Sequence, residues 1–570
     1  MPCPSRFVYL ACLALCWGAA PATAQESGGV SGAYLSAKIA AANADYSAAD
    51  LWFQRGLDLA PRNVVMVQGA MIAALSLGDL PKAADHAQTL TELGMSDPNA
   101  ELAILAFAVQ RQDFSQILQR QQSGTGAGAM QTDLLAGWAH IGLGQMNDGL
   151  ARFDRVQAQQ GLAGFALYHK AIALALAGNF DGAAAAMSLP EAQPLRESRR
   201  GAIFFAQVLS QIGKGPEARL FLQQRFGMTQ DGAITDILAQ LDTNAPVPIS
   251  GFVDANSGMA EVFVTVASAL GQESDPAYTL LHARIASVLL PQDAEAQLLT
   301  AAVLERLRQF DLAAQTYDRV PKSSPEYIMA QTGRADAVFS AGRADEALQI
   351  LRDLAAEHAQ SYDAQIALGH GLRRAEQFTD AVRAYDSAAA LLDDIPTAAW
   401  PLFYSRGIAY ERLGDFARAE ADFRQSLALS PNQPNVLNYL GYSLVDRGEK
   451  LEEALDMIQR AVAIRPDSGY IVDSLAWAYF RLGRYRDALA PMERAASLEP
   501  VDPIVADHLG DVYWANGRKR EAVFQWRRAL SFEPTEKDAA RIRQKLELGL
   551  DAVRAAEGDP PFPDVGLGGL

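Results

Sequence analysis

The sequence predicts an all-α fold, a solenoid of antiparallel helix pairs with about 14 repeats in two arrays. Three observations predict it. Prolines close four similar segments at Pro431, Pro466, Pro500 and Pro534, spaced by 35, 34 and 34 residues. An alanine stands twelve residues before each of them (Ala419, Ala454, Ala488 and Ala522), and the ladder runs upstream through Ala381, Ala347, Ala313 and Thr279. Earlier rungs fall at Ala49, Ala83, Ala183 and Ala218, with Ile117 and Gly149 in the weak stretch between. Within a unit the apolar period is helical: Val472, Leu475, Ala476 and Tyr479 follow i, i+3, i+4, i+7. A hairpin with such faces cannot bury them alone, so neighbouring units must stack.

The elements follow in chain order. Arg6, the apolar run 7–20 and the small residues Ala22-Thr23-Ala24 read as a signal peptide over 1–24, with Gln25 as the mature start. The run is too short for a membrane span. Cys3, Cys12 and Cys16 all lie inside it, so disulfides, thiol catalysis and cysteine metal sites leave with it. Neither Cys12 nor Cys16 has the small-residue context of a lipid-attachment cysteine, so a soluble periplasmic protein is expected over a lipid-anchored one. Residues 25–243 read as an N-terminal array of degenerate repeats. The ladder then breaks, with 61 residues from Ala218 to Thr279, and the Pro- and Gly-bearing stretch 244–258 reads as a linker. Residues 259–548 form the C-terminal array, and 549–570 a disordered tail.

Within the repeat at 471–500, "LGRY" (482–485) supplies the glycine turn between the helices. Pro500 ends the second helix because proline lacks the donor needed to continue it. Three units, "NYLGYSLVDRGEKLEEALDMIQRAVAIRP", "DSLAWAYFRLGRYRDALAPMERAASLEP" and "DHLGDVYWANGRKREAVFQWRRALSFEP", share Leu-Gly/Ala, Tyr, Ala, a large residue, Ala and Pro in register. This pattern resembles the tetratricopeptide repeat family, strongly in 260–535 and weakly at 100–180. The resemblance implies a right-handed superhelix whose concave face is lined by the first helix of each pair and holds extended peptides.

Composition and motifs argue against catalysis. The net charge of −18 lacks the basic footprint that nucleic-acid phosphates require. No two of the seven histidines are spaced to hold a metal from one helix face. "GYSLV" (441–445) lacks the second glycine of a nucleophile elbow, and Ser443 falls within a helix. "GTGAG" (124–128) has neither the strand nor the Lys-Ser/Thr of a phosphate loop. The basic cluster 518–520 with Arg527 and Arg528 reads as a solvated helix face. No cofactor is expected. An enzyme would need the 244–258 segment to contribute a site.

With the closing proline at position 32, positions 4, 7, 8 and 11 pack within the repeat. Positions 2, 5, 9 and 12 centre about 130° away on the first helix. That stripe reads Tyr404; Asn435, Asn438 and Tyr442; Tyr470, Asp473, Trp477 and Phe480; then Asp507, Asp511 and Trp514. Asn438, Asp473 and Asp507 are equivalent on successive repeats and are expected to stand side by side. Amide and carboxylate acceptors beside aromatic rings suit a surface that anchors a peptide. The alternative is that Trp477 and Trp514 pack against the neighbouring repeat. The lysine and arginine clamp with which some family members hold C-terminal carboxylates is absent from this rim.

The expected function is therefore a non-enzymatic adaptor that binds proteins or peptides. At a finer level the C-terminal repeats resemble those of proteobacterial cell-envelope tetratricopeptide proteins. Some of these partner a carboxyl-terminal processing protease and deliver substrates to it, which implies a periplasmic protease and its substrates as partners. The alternative is a structural assembly factor for an outer-membrane, export or pilus complex.

Overall fold

The computed structural model describes residues 29–123, 128–227, 231–243, 245–271, 274–392, 395–560 and 562. Among them the regular structure is all helical, with no strand. The expected signal segment with its three cysteines, residues 124–127 of the glycine-rich stretch, and 563–570 lie outside the described residues. Two compact units are present, Met1–Ile350 and Leu351–Leu570.

Each sequence unit becomes a helix pair. In the repeat at 471–500 the helices span Gly469–Arg481 and Tyr485–Leu498. Gly483 reverses the chain between them at φ +74°, a left-handed conformation that glycine adopts without a Cβ clash. The Arg484 N–H closes the turn on the Tyr479 carbonyl at 2.9 Å. The ladder alanines Ala419, Ala454, Ala488 and Ala522 are all fully buried, where the two helices of a pair approach. The packing is a small-against-large interlock. Gly407 faces the Phe423 ring and Gly510 the Trp526 ring so closely that a Cβ would fall 2.7 and 2.4 Å from the nearest ring atom. Burying each such ring stabilises the pair by about 2 kcal/mol.

The helices that form or fill the inner face of each unit, the face lined by first helices, are numbered here in chain order. Unit 1 contributes α1 (Val64–Leu77), α2 (Pro98–Gln110), α3 (Ala129–Gly142), α4 (Ala163–Leu176) and α5 (Arg199–Gln211). Next come α6 (Ala255–Leu270) and α7 (Pro276–Leu289). Unit 2 contributes α8 (Tyr362–Arg374), α9 (Trp400–Arg412), α10 (Pro434–Arg447), α11 (Gly469–Arg481) and α12 (Pro503–Ala515). After them come α13 (Glu536–Leu548) and α14 (Leu550–Glu557).

Two expectations about organisation change. The 244–258 stretch does not divide the compact units, whose boundary falls at Ile350. Its extended part lies on α5 instead: the Val247 N–H donates to Ser210 Oγ at 2.8 Å, and Gln211 Nε2 donates to the Val247 carbonyl at 2.7 Å. Its end starts α6, capped by Asp254 and Ser257 in a reciprocal capping box. The break in the alanine ladder thus marks inserted structure, the helix Gly232–Asp242 and then α6. The expected disordered tail is helical over Leu550–Glu557, because two of its apolar residues, Leu550 and Val553, are buried.

Candidate functional site

In unit 1 the inner face is filled by the chain itself. Helix α6 packs against α2, α3 and α4, and α7 against α1 and α2. Twelve of the sixteen residues of α6 are buried. Gly258 lets it close on Trp138 of α3, where a Cβ would meet the indole at 2.5 Å. Trp138 donates its N–H to His169 Nδ1 at 3.0 Å, which places the proton of the neutral imidazole on Nε2, facing Thr265 of α6. Burial lowers the His169 pKa to about 3, so this histidine stays neutral. Glu261 of α6 is fully buried and accepts from the Tyr168 hydroxyl at 3.0 Å and from Arg200 Nε at 2.7 Å. Burial outweighs Arg200 and raises its pKa to about 7.

A cavity of about 450 Å³ opens beside this plug, lined in part by Val247, Ser250 and Phe252 of the expected linker. This is where an enzymatic site would have to lie. Its arginines are committed to structure: Arg199 bridges Asp231, Glu295 and Glu326, and Arg200 bridges Glu261 and Asp293. Ser443 of the rejected nucleophile motif donates to Glu411 at 3.0 Å. Among the described residues no cluster of three or more His, Cys, Asp or Glu could hold a metal ion. No helix there is long and apolar enough to cross a membrane.

In unit 2 the predicted stripe divides into three parts. The first part borders the inner face of α9, α10 and the start of α11. Asn435 is exposed, and Tyr470 is 57% exposed. Asn438 and Tyr442 are half-buried. The Asn438 Oδ1 atom is buried and has no donor among the described residues. Burial, then the nearby carboxylates of Asp473 and Asp446, raises the Tyr442 phenol. Tyr404 is half-buried in a ring cluster, with centroids 5.9 Å from Tyr439 and 6.1 Å from Phe423.

The second part is closed by the next repeat, which corrects the reading of Asp473, Trp477, Asp507 and Asp511 as open groove residues. Asp473 is buried and receives His508 Nδ1 at 3.1 Å. His508 also stacks on Trp477 at 4.0 Å between centroids, and Trp477 stacks on Phe480 at 4.8 Å. Burial pulls His508 toward neutrality, but the carboxylates of Asp473, Asp507 and Asp511 together outweigh it and the imidazole pKa lies above its ordinary value. Asn438, Asp473 and Asp507 therefore do not form an open row of acceptors, because the His508 side chain inserts over Asp473 and Trp477. One repeat further on, Asp511 accepts from Trp526 Nε1 at 2.9 Å and from the buried Lys545 ammonium at 2.7 Å. Lys545 also holds Asp507 at 2.8 Å, and Arg541 lies 3.6 Å from Asp511. Burial and the Asp511 charge raise the Asp507 pKa against the pull of Lys545.

The third part is covered by the C-terminus. Trp514 donates its N–H to Asp551 of α14 at 2.9 Å. Phe480, also read as open, is buried with its ring 6.1 Å from Phe562. Sequence reasoning missed His508, Arg541 and Lys545. The last two carried a signal: they stand 34 residues after Asp507 and Asp511, at the same stripe positions of one further unit that lacks a closing proline.

Stacked helix pairs with an inner face of aromatic and amide groups define a helical repeat scaffold. Residues 359–535 match a tetratricopeptide repeat family model, and a second tetratricopeptide repeat model matches 276–328 and 304–364. Over those residues, under half of the chain, the sequence is similar to tetratricopeptide repeats. A TPR repeat-containing protein of Pseudomonas aeruginosa is 33% identical over 179 residues, 31% of this chain. The match spans only 30% of that relative's length. Among solved structures, the APC/C hetero-tetramer Cut9-Hcn1 is 15% identical, with 91% of this chain and 96% of that chain covered and a TM-score of 0.40. YrrB, described as a TPR protein with an unusual peptide-binding site, is 18% identical, with 34% and 97% covered and a TM-score of 0.28.

Proposed function

We propose that this protein is a non-enzymatic adaptor that binds an extended protein segment along the inner face of α9–α11. The observation that carries the reading is the buried, donor-less Oδ1 of Asn438, flanked by Asn435, Tyr442 and the exposed ring of Tyr470. A buried carbonyl oxygen without a donor carries a desolvation cost, which rotation of the Asn438 side chain toward a backbone N–H of an extended ligand would relieve. The tyrosines supply rigid contact area beside it. The signal-like segment 1–24 supports a periplasmic setting. The resemblance of the C-terminal repeats supports a role in delivering substrates to an envelope protease.

The test is a pull-down from periplasm with the full chain and an Asn438→Ala, Tyr442→Ala double variant, the fold of each checked by far-UV circular dichroism. The expected result is recovery of a protease with its substrates by the parent chain and a drop of about tenfold or more for the folded variant, the loss of one or two anchors. A variant that keeps every partner would sink the groove assignment. Recovery of a membrane assembly in place of a protease would favour the assembly-factor role.

A further inference from the structure

The C-terminal end of the unit 2 face is covered by α14 and Phe562, and the contacts that hold them resemble a bound ligand more than a core. Helix α14 has eight residues, too few to be stable as an isolated helix. Its grip is polar at both ends. Asp551 accepts from Trp514 Nε1 and lies 3.5 Å from the Lys519 ammonium, on a side chain 55% exposed. Glu557 takes a two-pronged contact from Arg541 at 2.8 and 3.0 Å, again with both side chains partly exposed. Between them the Arg554 guanidinium lies 4.2 Å from the centre of the Phe562 ring, which meets Tyr485 at 5.1 Å. The segment thus presents two carboxylates and one aromatic ring to a basic and aromatic end of the face.

We propose that α14 and Phe562 form an intramolecular pseudo-ligand. It occupies the C-terminal end of the binding face and is displaced by a partner segment of the same chemistry, a peptide with spaced carboxylates and an aromatic residue. The proposal rests on the adaptor reading and extends it to how the face is regulated. Partly exposed ion pairs contribute little each, so the covered state is held by the burial of Leu550 and Val553 and by the high effective concentration of a tethered segment. Release uncovers Phe480 and Trp514, frees Lys519 and opens the Glu557 side of Arg541 to another carboxylate. Removing the tether's contacts is therefore a gain of binding, the opposite sign to the loss expected from the Asn438 variant.

The probe is a fluorescein-labelled peptide of residues 550–562, titrated by fluorescence anisotropy against two full-length chains. One is the parent; the other carries Asp551→Ala, Arg554→Ala and Phe562→Ala. Self-occupancy predicts that the triple variant binds the peptide about tenfold or more tightly than the parent, the factor set by a covered state populated about 10:1. Replacing Glu557 by Lys in the peptide should weaken that binding by repelling Arg541. Equal binding to both chains, or no binding to either, would overturn the proposal. The assay uses no cellular partner, so the adaptor reading can fail in the pull-down while this result stands, and the reverse.

Discussion

Both units carry a helix of their own chain on the inner face, and both helices reach a tryptophan of that face through a glycine. In unit 1 Gly258 meets Trp138, and in unit 2 Gly549 meets Trp514, where a Cβ would fall 2.8 Å from the indole. The difference lies in what surrounds that contact. Helix α6 is sixteen residues long, twelve of them buried, and the chain runs on into α7 beyond it. Its charged residue, Glu261, is paired at zero exposure. Helix α14 buries three residues of eight. The same geometry is therefore core in one unit and a removable cover in the other. Burial decides which.

The largest effect that would break this comparison is expected at Gly258. A valine there must displace a fully buried indole, and Gly258→Val should cost unit 1 about 3 kcal/mol by overpacking. Denaturant unfolding followed by tryptophan fluorescence would show it as an early transition of unit 1. Gly549→Ala should cost about 1 kcal/mol and only loosen α14, since its φ of +83° is also unfavourable for alanine. Comparable losses from the two substitutions would mean that α14 is as integral as α6.

A smaller effect separates the closed part of unit 2 from its open part by pH. His508 has a pKa raised above its ordinary 6.5 because Asp473, with Asp507 and Asp511 behind it, favours the imidazolium. A raised pKa means the folded state binds the proton more tightly. The stabilisation is complete below pH 6.5 and is lost as pH rises through the higher folded value. Unit 2 stability should therefore fall with rising pH above 6.5, and His508→Gln should flatten that part of the profile. A profile unchanged by the substitution would leave Asp473–His508 without an energetic role.

The fold was legible because a repeat writes its packing at a fixed pitch. Even the weak rungs held: Ile117 is buried, and Gly149 stands so close to Ile141 that a Cβ would lie 2.5 Å away. The site was half legible. Helical periodicity identifies the face on which Asp473 and Trp477 lie, but it does not say what covers them. His508 covers Asp473 from 35 residues on, and Lys545 reaches Asp511 from 34 residues on. The second distance is one repeat, so reading the stripe against the next unit would have exposed the Lys545–Asp511 pairing, whereas His508 stands one residue off the stripe. The cover by α14 had no such signal, because it lies past the last unit and obeys no pitch. Likewise α6 hid in a gap of the ladder, where proline and glycine suggested only a linker.

Hydrogen exchange with mass spectrometry on the full-length chain tests the central claim most directly, since it reads local opening helix by helix. The account predicts that amides of α6 exchange only with global unfolding of unit 1, while those of α14 exchange orders of magnitude faster than those of neighbouring α12. Equal protection of α14 and α12 would contradict it, and so would fast exchange in α6.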